Sequence, residues 1–218
     1  MRRLLIFDFD GVVADTEIIA NRVLAATLTE IGLPTSLDES MKRYMGRHWP
    51  DCAALIEAQL GGPLPDGWVD DRRARVRAEL AVSLVEVPGL SGFIDAHDGW
   101  SRCIASSSTR EWIGLCLDRL GLAARFEHRF SGAEDVANGK PAPDLFLHAA
   151  ATCGFAPENC VVIEDSRAGV EAGVAAGMPV IGLTAGSHTR AGHAAMLDAA
   201  GATFIAESYG AVAHWLQR

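Results

Sequence analysis

The chain has 218 residues, 49% of them hydrophobic and 22% charged, an ordinary globular composition and enough length to bury a sizeable core in one or two domains. Its formal net charge of −9 argues against nucleic acid and membrane surfaces as partners, yet leaves room for a small phosphorylated metabolite in a pocket where a local cation reverses the field. Five scattered cysteines (Cys52, Cys103, Cys116, Cys153, Cys160) form no CxxC pair, which fits thiols in a reducing cytosol better than a disulfide framework or a zinc site.

In chain order, Leu4-Leu5-Ile6-Phe7 predicts a strand buried on both faces, as in a parallel sheet. Met1-Arg2-Arg3 before it is basic, but the apolar run stops at Asp8, far short of an export signal, and no segment is long enough to span a membrane. A cytoplasmic location is the expectation. Residues 17–31 read as a helix with an apolar stripe at Ile18, Val23, Leu24 and Leu28, stopped by Gly32 and Pro34. Helices over 37–45, 50–60 and 68–84 follow, with no strand signal between Asp15 and Leu84. Residues 15–85 therefore read as an all-helical insert, closed by Val87-Pro88-Gly89, and residues 1–14 with 86–218 as the domain that carries it.

From there the pattern alternates. Helix 90–97 precedes a strand at 102–105 that ends in Ser106-Ser107-Ser108-Thr109. Helix 110–120, a short strand near 128–130, the loop Gly139-Lys140-Pro141-Ala142-Pro143 and helix 143–153 come next. A strand at 160–163 runs into Glu164-Asp165-Ser166 and a helix over 166–177, and strands at 179–183 and 203–205 close the series. Repeated βα units imply an α/β fold with a mostly parallel sheet. Gly169, Gly173 and Gly177 recur every four residues in one helix, a pattern read as close packing on the sheet with no catalytic role.

Parallel strands put their carboxyl ends on one edge, so the polar residues at those ends can converge. Asp8 and Asp10 end the first strand, Ser106 the second, Glu164 and Asp165 the fourth, and Lys140 stands before a helix. Several carboxylates around one point are hard oxygen ligands of the kind Mg²⁺ takes. A lysine and a serine hydroxyl beside them supply donors for a phosphate.

These residues resemble the haloacid dehalogenase (HAD) superfamily, in its branch with a small helical cap after the first motif. The likeness rests on four segments in order: Asp8-Phe9-Asp10-Gly11-Val12-Val13, Ile104-Ala105-Ser106, Gly139-Lys140-Pro141-Ala142-Pro143-Asp144 and Ile163-Glu164-Asp165-Ser166-Arg167-Ala168-Gly169. The resemblance implies a Rossmann-like core with an inserted cap and an Mg²⁺-dependent phosphomonoester hydrolase working through an aspartyl phosphate. Asp8 would be the nucleophile and Asp10 the general acid and base. Mg²⁺ would be held by Asp8, Asp165 and the Asp10 carbonyl with Glu164 nearby, and the phosphoryl oxygens by Ser106, Ser107 and Lys140.

Within that superfamily, Asp10 argues against dehalogenases, which do not need a second aspartate, and against phosphonate-cleaving members, which lack an acid at that position. Mutases of the β-phosphoglucomutase type share Asp15-Thr16 but carry a histidine where this chain has Ala20, which favours hydrolysis and leaves the mutase as the alternative. Arg47, Thr16 and Glu17 of the insert are the candidate specificity residues, and a compact sugar phosphate or sugar-acid phosphate is the expected substrate. A phosphoaspartate signalling switch stays as a remote alternative, opposed by the motif order and the size of the insert. A monomer is expected, with a dimer left open.

Overall fold

Leu4 to Phe7 offer no polar position in either register of a strand, so both faces of that strand have to be covered. In a computed structural model, which describes residues 3–45 and 49–217, this segment is β1 (Leu4–Phe7), and its four side chains are at most 1% exposed. Each such burial is worth about 1.5–3 kcal/mol. The chain divides into two compact units, Met1–Asp15 with Val85–Arg218 and, between them in sequence, Thr16–Leu84.

The helical unit holds α1 (Glu17–Glu30), α2 (Leu37–Tyr44), α3 (Trp49–Leu60) and α4 (Trp68–Ser83). Ser36 and Glu39 form a reciprocal capping box that starts α2, each satisfying a backbone N–H of the other. The core of the unit gathers Leu24, Leu28, Tyr44, Cys52, Ile56 and Trp68. Two buried polar ties cross it: Ser40 Oγ donates to Asn21 Oδ1 at 2.9 Å, and Trp68 Nε1 donates to the Thr27 carbonyl at 3.3 Å. In α1 the buried face carries Ile19 rather than Ile18, because the stripe also takes in Asn21 and Thr27, polar residues whose side-chain hydrogen bonds let them be buried.

The second unit continues with α5 (Leu90–Ala96), β2 (Ser101–Ser106), α6 (Arg110–Leu120), β3 (His128–Ser131), α7 (Asp144–Thr152), β4 (Cys160–Glu164), α8 (Arg167–Ala175), β5 (Val180–Leu183), α9 (His193–Ala199), β6 (Phe204–Ala206) and α10 (Tyr209–Leu216). The strands form one parallel sheet in the order β3-β2-β1-β4-β5-β6. The α/β fold agrees with the sequence pattern, and boundaries shift by a residue or two. Helices α9 and α10 had no counterpart in the sequence reading; α9 follows Gly192, which offers no side-chain cap, whereas α10 does carry a serine cap at Ser208.

The strand order reverses direction at β1, whose neighbours are β2 and β4, and such a reversal opens a crevice at the carboxyl edge of the sheet. Phe7 pairs with Ile104 and Ile163, so Asp8 leaves the sheet level with Ala105 and Glu164. Beneath β1, Phe7, Phe93, Phe126 and Tyr209 stack edge-on or tilted at centroid distances of 5.1–6.5 Å. The Tyr209 hydroxyl donates to the Val12 carbonyl at 2.8 Å and so ties the last helix to the turn after β1. Among the described residues, no helix is long and apolar enough to cross a membrane.

Candidate active site

After β1 the chain folds back at once. The Phe9 carbonyl accepts from the N–H groups of Val13 and Ala14 at 2.8 and 3.0 Å, and Gly11 turns with φ +81°. A Cβ at Gly11 would lie 2.1 Å from Asp165 Oδ2, so both the turn and the approach of Asp165 require glycine there.

This turn leaves Asp8 over the sheet edge beside Lys140. Lys140 Nζ donates to Asp8 Oδ1 at 2.6 Å, to Glu164 Oε1 at 2.7 Å and to the Ala105 carbonyl at 2.9 Å, satisfying all three ammonium hydrogens. Asp8, Glu164 and Asp165 are buried, and one oxygen of each lies within 4.8 Å of the others. Burial, reinforced by Glu164 and Asp165, pushes the Asp8 carboxyl well above its ordinary range although Lys140 pulls it down. Burial and Glu164 do the same to Asp165. Burial alone would lower Lys140, but the Asp8 and Glu164 carboxylates outweigh it and hold the ammonium charged. Three acids gathered on one lysine in a dry place make full ionisation costly, a cost that a divalent cation would relieve.

The two oxygens of Glu164 have separate duties. Oε1 takes Lys140, and Oε2 accepts from the backbone N–H groups of Asp165 and Ser166 and from Ser166 Oγ, at 2.8–2.9 Å. Ser166 Oγ also accepts from the Gly169 N–H at 3.1 Å and so caps α8. With its oxygens so engaged, Glu164 orients its neighbours, while Asp8 and Asp165 each have one oxygen engaged, by Lys140 and His188, and could offer the other to a metal. A Cβ at Gly169 would fall 1.6 Å from Glu164 Oε1. The glycine repeat thus divides by role: Gly169 makes room for the carboxylate, Gly173 would meet Val180 at 2.5 Å, and Gly177 turns at φ +73°. The expected close packing on the sheet holds at Gly169 as well, since Glu164 is the last residue of β4.

Ser106 is buried at the end of β2, and its Oγ accepts from the Ser108 N–H at 3.1 Å, which leaves its proton to donate; Ser107 is exposed on the same turn. Asp10 lies in the turn after Asp8, where Ser108 Oγ donates to its Oδ2 at 2.6 Å and Trp112 Nε1 to its Oδ1 at 2.9 Å. Thr16 and Glu17 begin the helical unit, Thr16 buried and Glu17 accepting from Asn21 Nδ2 through its carbonyl at 2.9 Å. Arg47 and its neighbours Gly46 and His48 lie outside the described residues. Trp49 packs, stacked on Trp68 at 6.3 Å with the Arg72 guanidinium 4.1 Å over its ring.

Sequence reasoning missed Ser108, Trp112 and two histidines. His188 Nε2 meets Asp165 Oδ2 at 2.8 Å, and His193 Nε2 meets the Asp165 carbonyl at 2.7 Å. Burial pushes the His193 imidazole down, so the neutral ring donates from Nε2 to that carbonyl. Asp15, also buried, accepts from the Ser187 N–H at 3.2 and 3.3 Å and so anchors the loop that delivers His188.

Known proteins share this fold. Residues 2–177 match the haloacid dehalogenase-like hydrolase family. The chain is 26% identical over 185 residues to a 6-phosphogluconate phosphatase of Escherichia coli, covering 84% of this chain and 83% of that protein. A haloacid dehalogenase-like protein of unknown function from Agrobacterium tumefaciens has the same fold with a TM-score of 0.89 and 34% identity, over 100% of both chains. A structure described as a putative β-phosphoglucomutase from Thermotoga maritima follows at 0.80 and 25%, over 100% of this chain and 99% of that one. The chain belongs to the haloacid dehalogenase-like hydrolase family, among its phosphatases.

Proposed function

We propose that this enzyme is a phosphomonoester hydrolase dependent on Mg²⁺, acting on a small sugar phosphate or sugar-acid phosphate through a phosphorylated Asp8. The observation that carries the reading is the buried grouping of Asp8, Glu164 and Asp165 around Lys140 at the carboxyl edge of β1 and β4. Asp8 and Asp165 would hold the ion, with the Asp10 carbonyl, and Glu164 beside them. Bound there, Mg²⁺ supplies charge neutralisation for the phosphoryl group.

The chain's own residues account for the rest. Lys140, Ser106 and Ser107 bind phosphoryl oxygens, so that the anionic Asp8 carboxylate can approach phosphorus in line. Asp10 protonates the departing oxygen, then takes a proton from the water that hydrolyses the phosphoryl-Asp8 ester. Thr16, Glu17 and Arg47 are assigned to substrate selection.

A mutase reading is supported by the shared Asp15-Thr16 and the likeness to the Thermotoga structure, and is opposed by Ala20 in α1, which has no group to exchange a proton. The deciding experiment follows phosphate release from sugar phosphates, sugar-acid phosphates and p-nitrophenyl phosphate, with Mg²⁺ and with EDTA. Release that needs Mg²⁺ and peaks on one compact metabolite is the expected result. Interconversion of hexose 1- and 6-phosphates without release would transfer the case to the mutase. Silence on every ester, with a stable phosphate on Asp8, would replace the hydrolase with a switch.

A further inference from the structure

The carboxyl group of Asp10 is gripped on both oxygens by one short segment after β2. Trp112 Nε1 donates to Oδ1 at 2.9 Å and Ser108 Oγ donates to Oδ2 at 2.6 Å. That segment is itself fixed. Thr109 caps α6 by accepting the Trp112 backbone N–H at 3.3 Å, which holds Trp112 in the first helical turn. Ser131 Oγ donates to the Ser108 carbonyl at 2.8 Å, and the Gly132 N–H donates to the Ser106 carbonyl at 2.7 Å. Asp135 in turn accepts from the Ser131 N–H at 2.7 Å. Three layers of hydrogen bonds therefore stand behind one carboxyl group.

The two donors are chemically unequal. An indole N–H can only donate, whereas a serine hydroxyl can donate or accept. Oδ1, facing the indole, must be an acceptor whether Asp10 is charged or neutral.

We infer that Trp112 is a positioning residue for Asp10: its indole N–H, donating to Oδ1, fixes the orientation in which that carboxyl serves the acid step. This inference rests on the phosphatase reading above. In that step a carboxylate oxygen of Asp8 forms a bond to phosphorus. The bond from phosphorus to the leaving oxygen breaks, with its electron pair staying on that oxygen. The proton passes from the Asp10 carboxyl to the same oxygen, leaving Asp10 anionic.

The consequence is selective. A sugar alkoxide departs only with a proton, so its kcat/KM depends on a well-placed acid, while p-nitrophenolate is stable as an anion and needs little help. Because kcat/KM reports events through the first departure, later hydrolysis of the phosphoryl-Asp8 ester does not obscure the comparison. Trp112→Phe keeps the ring and deletes the donor. It should lower kcat/KM for the preferred sugar phosphate roughly tenfold to a hundredfold, and that for p-nitrophenyl phosphate less than about threefold. Ser108→Ala, acting on the other oxygen, should show the same selectivity.

A second readout is independent of turnover. The chain has five tryptophans, and the indole N–H resonance lost in Trp112→Phe identifies Trp112 in the ¹⁵N spectrum of the wild-type protein. Asp10→Ala should shift that resonance. An equal loss on both esters in Trp112→Phe, no loss on either, or an indole resonance indifferent to Asp10→Ala would each overturn the inference while the wild type still hydrolyses both esters. A wild type inactive on every ester would instead overturn the phosphatase reading, and the inference with it.

Discussion

In the helical unit Arg22 meets Glu79 at 3.0 Å, and Arg75 meets Glu30 at 2.7 Å and Asp71 at 2.9 Å, with these side chains 39–54% exposed. In the other unit Lys140 meets Asp8 at 2.6 Å and Glu164 at 2.7 Å, with no side chain of the three more than 11% exposed. The distances barely differ, so distance does not tell a solvated pair from a reactive one. Water does. Exposed pairs are screened and contribute about 0–1 kcal/mol, because both partners were well hydrated before they met. The buried group gave up that hydration, and its excess of acid over base is a standing cost that a cation relieves.

The largest effect should come from removing the lysine in that group. Lys140→Met leaves Asp8 and Glu164 without their shared ammonium partner, and should cost about 3–5 kcal/mol in a urea melt together with nearly all phosphate release. Unchanged stability would mean that water reaches the cluster. Gly169→Ala and Gly173→Ala separate site from packing within one helix. Both added methyls collide, with Glu164 at 1.6 Å and Val180 at 2.5 Å, and each should cost about 1–3 kcal/mol. Only Gly169→Ala displaces the carboxylate that holds Lys140, so turnover should fall about a hundredfold there and stay near wild type in Gly173→Ala.

A smaller effect is a dependence on pH. Asp8 and Asp165 have folded-state values above their unfolded ones, so over that interval the folded chain binds more protons than the unfolded chain. Their contribution to metal-free stability therefore falls as pH rises from about 4 through the raised folded values. Asp165→Asn should flatten the slope, and so should saturating Mg²⁺ in the wild type. Urea midpoints across pH for both proteins check this, and parallel curves would refute it.

The sheet and the acids at its edge were legible because they rest on short-range rules. A four-residue apolar run must be a covered strand, and a strand end places i and i+2 acids together. Apart from Lys140, the partners of those acids were not legible. Trp112 lies 102 positions from Asp10, and His188 lies 23 positions from Asp165, in a loop with no periodic pattern. Gly169 was visible as a repeat, yet its purpose depends on where the Glu164 side chain turns, which no spacing encodes. Ile18 and Ile19 were confused for a similar reason: a helical stripe wide enough to include buried Asn21 and Thr27 cannot be located from apolar residues alone.

The smallest effect is the control that gives the comparison its meaning. Arg22→Ala removes a pair whose partners are 51% and 39% exposed, so it should shift the urea midpoint by an amount equivalent to less than about 1 kcal/mol. Because that residue is solvated and screened, raising the salt to about 1 M, where the Debye length falls to about 3 Å, should erase even this difference. The Lys140→Met deficit should survive the same salt, since ions that cannot enter the cluster cannot screen it. If both deficits faded together, the acid cluster would have to be treated as a wet surface feature, and its raised carboxyl values would lose their cause in burial.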